Sequence, residues 1–341
     1  GDGTGGDIHI KGNWTHTTGL FTPNGRAVFF NAETGDQTIV KSGGETFDYM
    51  IVDKATSGNV VLSNNATFNN TLSLTKGLLV TGTNKAIIPS TGSVTRTNGW
   101  VNGNLQKNIT TSGTKVFEVG DTTNYAPASL NVSATDFAAG DVLVSTSAIS
   151  DFSNSPYSTL NLDTTKAIAR AWSVTKPSGS TFASTYTGTF TYVAGDLLGT
   201  PTVSTLRTAV YNGSSWSYPG TVTTGTNQVI APDGISPSLT STLVFASPIT
   251  PTISVSGTQN FTYNSFPQGP ASITTASDGD RSLLYTNVGG TAYSSSTAPT
   301  NAGNYQVVAS VTESNNYSAN SSSPYLFTID KRALTITVND Q

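Results

Sequence analysis

The chain has 341 residues, a formal charge of −4, 11% charged residues and no cysteine. That is long enough for two or three domains, and it excludes disulfide scaffolds and thiolate metal sites. Low net charge, 9% aromatics and Val, Ile and Thr throughout separate it from disordered chains and favour short strands joined by small polar turns. Lys and Arg are scattered, which argues against a phosphate-tracking nucleic-acid surface. No apolar run approaches the ~20 residues of a membrane span.

The chain opens on Gly1-Asp-Gly-Thr-Gly-Gly-Asp7 without a signal peptide and stops after Ala333-Leu-Thr-Ile-Thr-Val338, so a fragment of a longer protein is expected. Strand candidates follow closely over residues 8–95: Ile8–Ile10, Arg26–Phe30, Gln37–Val40, Phe47–Val52, Asn59–Leu62, Thr71–Leu74 and Ala86–Ile88. Loosely alike segments with Asn and Gly corners suggest a β-solenoid, each rung burying its face on the next. An ordinary sandwich predicts similar spacing. Residues 96–248 change texture, with candidates at Lys115–Gly120, Tyr125–Leu130, Asp141–Ser145, Ile168–Val174, Thr187–Tyr192, Leu206–Tyr211, Ser215–Tyr218 and Ser241–Phe245. These suit one antiparallel sandwich, with Asn212-Gly213 expected to supply a hairpin turn. Pro248-Ile-Thr-Pro-Thr252 reads as a stiff linker.

In the last part, Pro299 and Gly303 punctuate a turn, after which Tyr305, Val307, Ala309 and Val311 alternate with polar residues. Asn301-Ala-Gly-Asn-Tyr305 has the form of a tyrosine corner, in which a Tyr opening a late sandwich strand bonds to backbone just upstream. The expected division is solenoid at 1–95, antiparallel sandwich or cap at 96–248, Ig-like repeat at 249–331 and the start of a following repeat at 332–341. The fold class is all-β.

Family resemblances sharpen this. Gly12-Asn-Trp-Thr15, Val28-Phe-Phe-Asn31, Gln37-Thr-Ile39 and Asn70-Thr-Leu-Ser-Leu-Thr-Lys-Gly-Leu-Leu79 resemble, in order, the β-helical repeats of very large secreted proteins of Bacteroidetes. Gly99-Trp-Val-Asn-Gly-Asn-Leu105, Phe117-Glu-Val-Gly120 and Arg170-Ala-Trp-Ser-Val174 are similar to the segments that follow such solenoids. Pro299-Thr-Asn-Ala-Gly-Asn-Tyr305, Asn316-Tyr317 and Phe327-Thr-Ile-Asp-Lys331 resemble the MBG repeat of bacterial surface adhesins, although Tyr263-Asn-Ser-Phe-Pro267 departs from its usual "Y-G" form. Ala333–Thr337 matches the start of a next repeat. The resemblance implies a cell-surface adhesin, secreted and attached to the cell, with type IX export. Its implied partners are the secretion machinery and a glycan or protein target.

Candidate chemistry is sparse. His9 and His16 lack the neighbours of a metal site and read as surface residues of the solenoid. Glu45 with Asp48, or Glu118 with Asp121, are the pairs a glycosidase would need, and both read as solvent-facing. No nucleophile elbow occurs, so no enzyme is expected. No cofactor is expected either, calcium being the one candidate, at Asp2–Asp7 or, better, Asp278 and Asp280. Turn chemistry accounts for both segments as well. Of the aromatics that could stack on sugars, Trp14, Trp100, Trp172, Trp216 and Tyr218, the pair Trp216 and Tyr218 shares one strand face and is the best candidate ligand site; Trp172 reads as core. A carbohydrate-binding module of a secreted enzyme is therefore the alternative reading. Lys331 with Glu313 resembles an isopeptide pair. Asp121-Thr-Thr123 and Asp163-Thr-Thr165 resemble the O-glycosylation motif of Bacteroidetes. Asn-x-Ser/Thr at Asn13, Asn108, Asn131 and Asn212 reads as chance matching in so Asn-, Ser- and Thr-rich a chain. The regular Thr-x-Thr rungs of an ice-binding face are missing from residues 8–95.

Overall fold

A computed structural model describes residues 6–135, 137–290 and 292–337. The chain is nearly all β and divides into two compact units, 1–247 and 248–341.

The first unit begins as a three-faced parallel coil. Ile8, Val28, Met50, Leu72 and Val94 are successive register partners on one face, about 22 residues per turn of the coil. On the second face Trp14, Ile39 and Leu62 stack, and Val60, Leu79, Val101 and Val119 continue the ladder. The third face stacks Glu45, Ala66, Ala86 and Leu105. Every one of these pairings is parallel, so the solenoid holds and the sandwich alternative for residues 8–95 falls. Period-two alternation sends Val28, Phe30, Phe47, Met50, Val52, Phe68, Leu72 and Leu74 into the core, each at most 1% exposed. Each buried Phe or Leu contributes about 1.5–3 kcal/mol.

Two devices turn the corners. Asn and Asp side chains accept the N–H of the next rung: Asn13 from Thr38, Asp36 from Asn59, Asn59 from Leu78 and Asn65 from Lys85. At one corner Gly35, Gly58, Gly77 and Gly99 form a column. A Cβ on Gly58 would lie 1.9 Å from the Gly35 carbonyl oxygen, and one on Gly99 2.4 Å from that of Gly77. Gly58 also has φ +92°, so only glycine lets these rungs close at this spacing.

The strand Trp100–Ile109 is the junction. It pairs in parallel with Leu78–Ile88 and antiparallel with Gly140–Ala148. From there the same sheet runs antiparallel through Asp163–Thr175, Thr242–Ser247, Arg207–Tyr211 and Trp216–Thr221. A second sheet, Gly113–Phe117, Ala128–Val132, Tyr186–Thr191, Gln228–Ile230 and Thr223–Gly225, faces it. Trp172, Phe190 and Phe245 fill the space between, with ring centroids 5.3–5.8 Å apart. This core is continuous with that of the solenoid. A second cluster covers the opposite face of the first sheet, with Ile149, Leu160, Leu162, Ala209 and Val244 at its centre. Burial on both faces explains why Ala167 to Trp172 is buried without alternation. The Asn212-Gly213 hairpin is wider than a two-residue turn: Tyr211 pairs with Trp216 across a four-residue loop. Within that loop Asn212 Oδ1 accepts the N–H of Ser214 and Ser215.

The second unit is an Ig-like sandwich. Ile253–Ser256 pairs with Ser272–Thr275, and the larger sheet runs Asn260–Thr262, Tyr325–Asp330, Gly303–Val311, Arg281–Asn287, Ser294–Ser295. Its core is Val255, Tyr285, Tyr305, Val307, Ala309, Phe327 and Ile329. Residues 331–337 carry no strand, and Leu334 and Ile336 are 83% and 75% exposed. The rest of the segment, Val338 to Gln341, lies outside the described residues.

Candidate functional site

The most concentrated polar chemistry sits where the solenoid passes into the sandwich. Arg170, on the strand Asp163–Thr175, is 0% exposed. Its Nε donates to Asp196 Oδ2 at 2.8 Å, and its Nη2 to Asp196 Oδ1 at 3.1 Å and Asp121 Oδ2 at 2.7 Å. Asp196 is set by the short helical turn Ala194–Asp196 and also accepts the Val193 N–H. Asp121 follows the last rung strand, Val119–Gly120, and accepts the N–H groups of Thr123 and Asn124 through Oδ1. Burial pushes its carboxyl up, and the bonds from Thr123, Arg170 and Asn124 outweigh that and hold it at about 2. A planar guanidinium between two carboxylates is the geometry that recovers the cost of burying charge. The Arg170 Nη1 is buried without a protein partner. A shallow cavity of about 630 Å³ is lined by Asp121, Asn124, Arg170 and Asp196. Both carboxylates are bound to Arg170 and to backbone N–H groups, so the cluster ties three segments together.

Three further clusters follow the same pattern. Glu45, 5% exposed, accepts the Trp14 indole N–H at 2.8 Å and lies 2.7 Å from His16 Nδ1. Lys107 bonds Glu118 and the Val116 carbonyl, both at 2.7 Å, and burial lowers its ammonium from the ordinary lysine range. Lys54, 1% exposed, donates to Gln37 Oε1 at 2.9 Å, and Gln37 in turn donates to the Ile10 and Gly12 carbonyls. Desolvation lowers Lys54 as well.

These positions correct several expectations. Glu45 and His16 read as surface residues, but Glu45 is buried and His16 is half-buried against it, because Glu45 takes an inward position of its strand and needs donors there. Asp48 instead binds the Gly25 N–H and Asn69, and Glu118 and Asp121 bind different cations, so neither carboxylate pair forms across a cleft. His9 lies outside, stacked on Phe29 at 4.5 Å. Trp172 is core, its indole N–H on the Ala126 carbonyl.

Trp216 and Tyr218 share one face of their strand and pack on the segment around Tyr157. The Trp216 indole N–H is engaged by the Pro156 carbonyl and Thr159, and Tyr218 Oη accepts the Asn161 N–H. Asp278 and Asp280 are exposed around Gly279; there the Asp280 N–H donates to Thr312 Oγ1 and its carbonyl accepts the Thr312 N–H. Among the described residues no three His, Cys, Asp or Glu side chains gather as metal ligands. Of the calcium candidate at 2–7 only Gly6 and Asp7 are described, and Asp7 caps the Ala27 N–H. Lys331 and Glu313 are both exposed. Tyr305 is 7% exposed, stacks on Phe327 at 5.6 Å, and its Oη donates to the Asn301 carbonyl at 2.9 Å.

The Arg170 cluster escaped sequence reasoning, although its signal was present. Arg170 opens the "R-x-W-x-V" segment and Asp121 follows "F-x-V-G", but nothing in spacing joins residues 49 positions apart.

Residues 251–332 match the family model of the MBG domain. No curated protein and no solved structure matches the chain. No helix among the described residues is long and apolar enough to cross a membrane.

Proposed function

We propose that this chain is a non-enzymatic stalk segment of a large secreted bacterial surface adhesin. The observation that carries the reading is a β-solenoid unit followed in the same chain by an MBG domain, each closing its own hydrophobic core. Units in series that are complete in themselves act as spacers that hold a distal binding region away from the cell. The polar clusters support the reading, because their charges are used to join strands. Bacteroidetes origin, type IX export and an extracellular, surface-attached location belong to the same proposal, and rest on the motifs around Trp14, Leu72 and Tyr305.

Two measurements test it. The full-length reading frame is expected to hold further repeats like 251–332, and a catalytic domain upstream would overturn the proposal. On a glycan array the purified chain is expected to bind nothing above background. Saturable binding that disappears in Trp216→Ala would instead make it a carbohydrate-binding module.

A further inference from the structure

We propose that the second unit is a force-bearing module in which the first and last strands of its larger sheet form a shear clamp. The idea rests on the stalk reading only in that a tether is what would load it.

Asn260–Thr262 runs parallel to Tyr325–Asp330, with Asn260 opposite Thr328, Phe261 opposite Ile329 and Thr262 opposite Asp330. Backbone bonds extend the pairing at both ends: Thr328 N–H to the Gln259 carbonyl at 2.7 Å, and Tyr263 N–H to the Asp330 carbonyl at 2.9 Å. Because the two strands are parallel, tension between the ends of the unit draws one strand backward and the other forward along their shared length. The bonds between them are then stretched together. Two strands pulled from the same end would instead separate one bond at a time. Side chains brace the joint. Phe261 packs edge-on against Phe327 at 6.0 Å, and Tyr325 Oη donates to the Gly257 carbonyl at 2.9 Å.

A second tie lies upstream, where the chain enters the unit. Ile249 bridges Tyr317 in parallel, with its N–H on the Asn316 carbonyl at 2.8 Å and its carbonyl accepting the Ser318 N–H at 3.0 Å. Asn320 Nδ2 holds the Pro251 carbonyl at 2.8 Å. Load entering at residue 248 therefore meets this tie, then the Ile253–Ser256 pairing, and then the clamp. Resistance to such load is set by the barrier to unfolding, and equilibrium stability does not measure it.

Single-molecule pulling on the full chain tests this, and the lack of native cysteine makes handle placement unambiguous. Thr252→Cys with Lys331→Cys loads the clamp in shear. Asn264→Cys with Lys331→Cys places both handles at one end of the strand pair; all three positions are exposed. At equal loading rate the first geometry is expected to yield at a force several times higher than the second. Within the first geometry, Tyr263→Pro removes the N–H bonded to Asp330, whereas Tyr263→Ala keeps it. The proline variant is expected to unfold about fivefold faster at constant force than the alanine variant. Equal forces in the two geometries, or equal rates for the two variants, would overturn the clamp. Should Tyr263→Pro fail to fold, the handle comparison decides alone. The stalk reading fails separately, on the reading frame and the glycan array, neither of which reads force.

Discussion

Replacing Arg170 with Met leaves the Asp196 carboxylate, 6% exposed, with one remaining donor, the Val193 N–H. Asp121, 17% exposed, keeps its bonds from Thr123 and Asn124 and loses less. Breaking a buried ion pair by removing one partner costs about 3–5 kcal/mol, mostly through the charge left behind. All four tryptophans lie in the first unit, so tryptophan fluorescence during urea unfolding reports that unit alone. With an m-value of about 3 kcal/mol/M, the midpoint should fall by roughly 1–1.7 M. The double variant Arg170→Met with Asp196→Leu removes the buried pair and leaves Asp121 on its bonds from Thr123 and Asn124, and its midpoint should return toward the wild type, since apolar replacement of a buried pair is close to neutral. A single variant with an unshifted midpoint, or a double variant as low as the sum of two singles, would refute the assignment of the cluster as the tie between solenoid and sandwich.

Acid should act on the same joint. The Asp121 carboxyl is depressed from 3.8 to about 2, so its contribution is fully present above pH ~4 and is lost as pH falls toward 2. That amounts to roughly 2 kcal/mol, and Asp121→Asn should flatten the first unit's stability across that window, as measured by urea midpoints at stepped pH. In the glycine column, Gly58→Ala should be far more damaging than Gly43→Ala. Both have positive φ, worth about 1–2 kcal/mol for a non-glycine residue, but a Cβ at Gly43 meets nothing within 4 Å while one at Gly58 meets backbone. Fluorescence-detected urea unfolding checks the order, and equal midpoints would contradict the corner packing. In the second unit, Tyr305→Phe loses the bond to the Asn301 carbonyl, about 1 kcal/mol. Calorimetry should show the transition of that unit lowered by about 4–8 °C, with the first unit unmoved.

What could be read without the structure was local. Tyr305 to Asn301 spans four residues, and the alternation of Tyr305, Val307, Ala309 and Val311 lies within one strand, so motif and period are enough to carry them. The corner Asn and Gly residues of the solenoid likewise show as a loose repeat, because each rung asks for the same turn at the same point.

What was not legible depends on which chains lie alongside. Phe47–Val52 reads as one short strand, yet Glu45–Asp53 serves two faces of the coil, with the register slipping between Phe47 and Tyr49. Trp100–Ile109 has parallel and antiparallel neighbours on its two edges, a fact held by no property of its own residues. Glu45 reads as a surface carboxylate until the strand alternation turns it inward beneath Trp14 and His16. Composition, period and turn chemistry thus determined an all-β chain with a Tyr305-cornered sandwich at one end, and left residues 8–95 open between coil and sandwich until the parallel pairings were known. The pairing partners of Arg170, the burial of Glu45 and the parallel alignment of Asn260–Thr262 with Tyr325–Asp330 were decided only by the tertiary structure. Each joins residues tens of positions apart, and such contacts depend on the assembled neighbours and not on local preference.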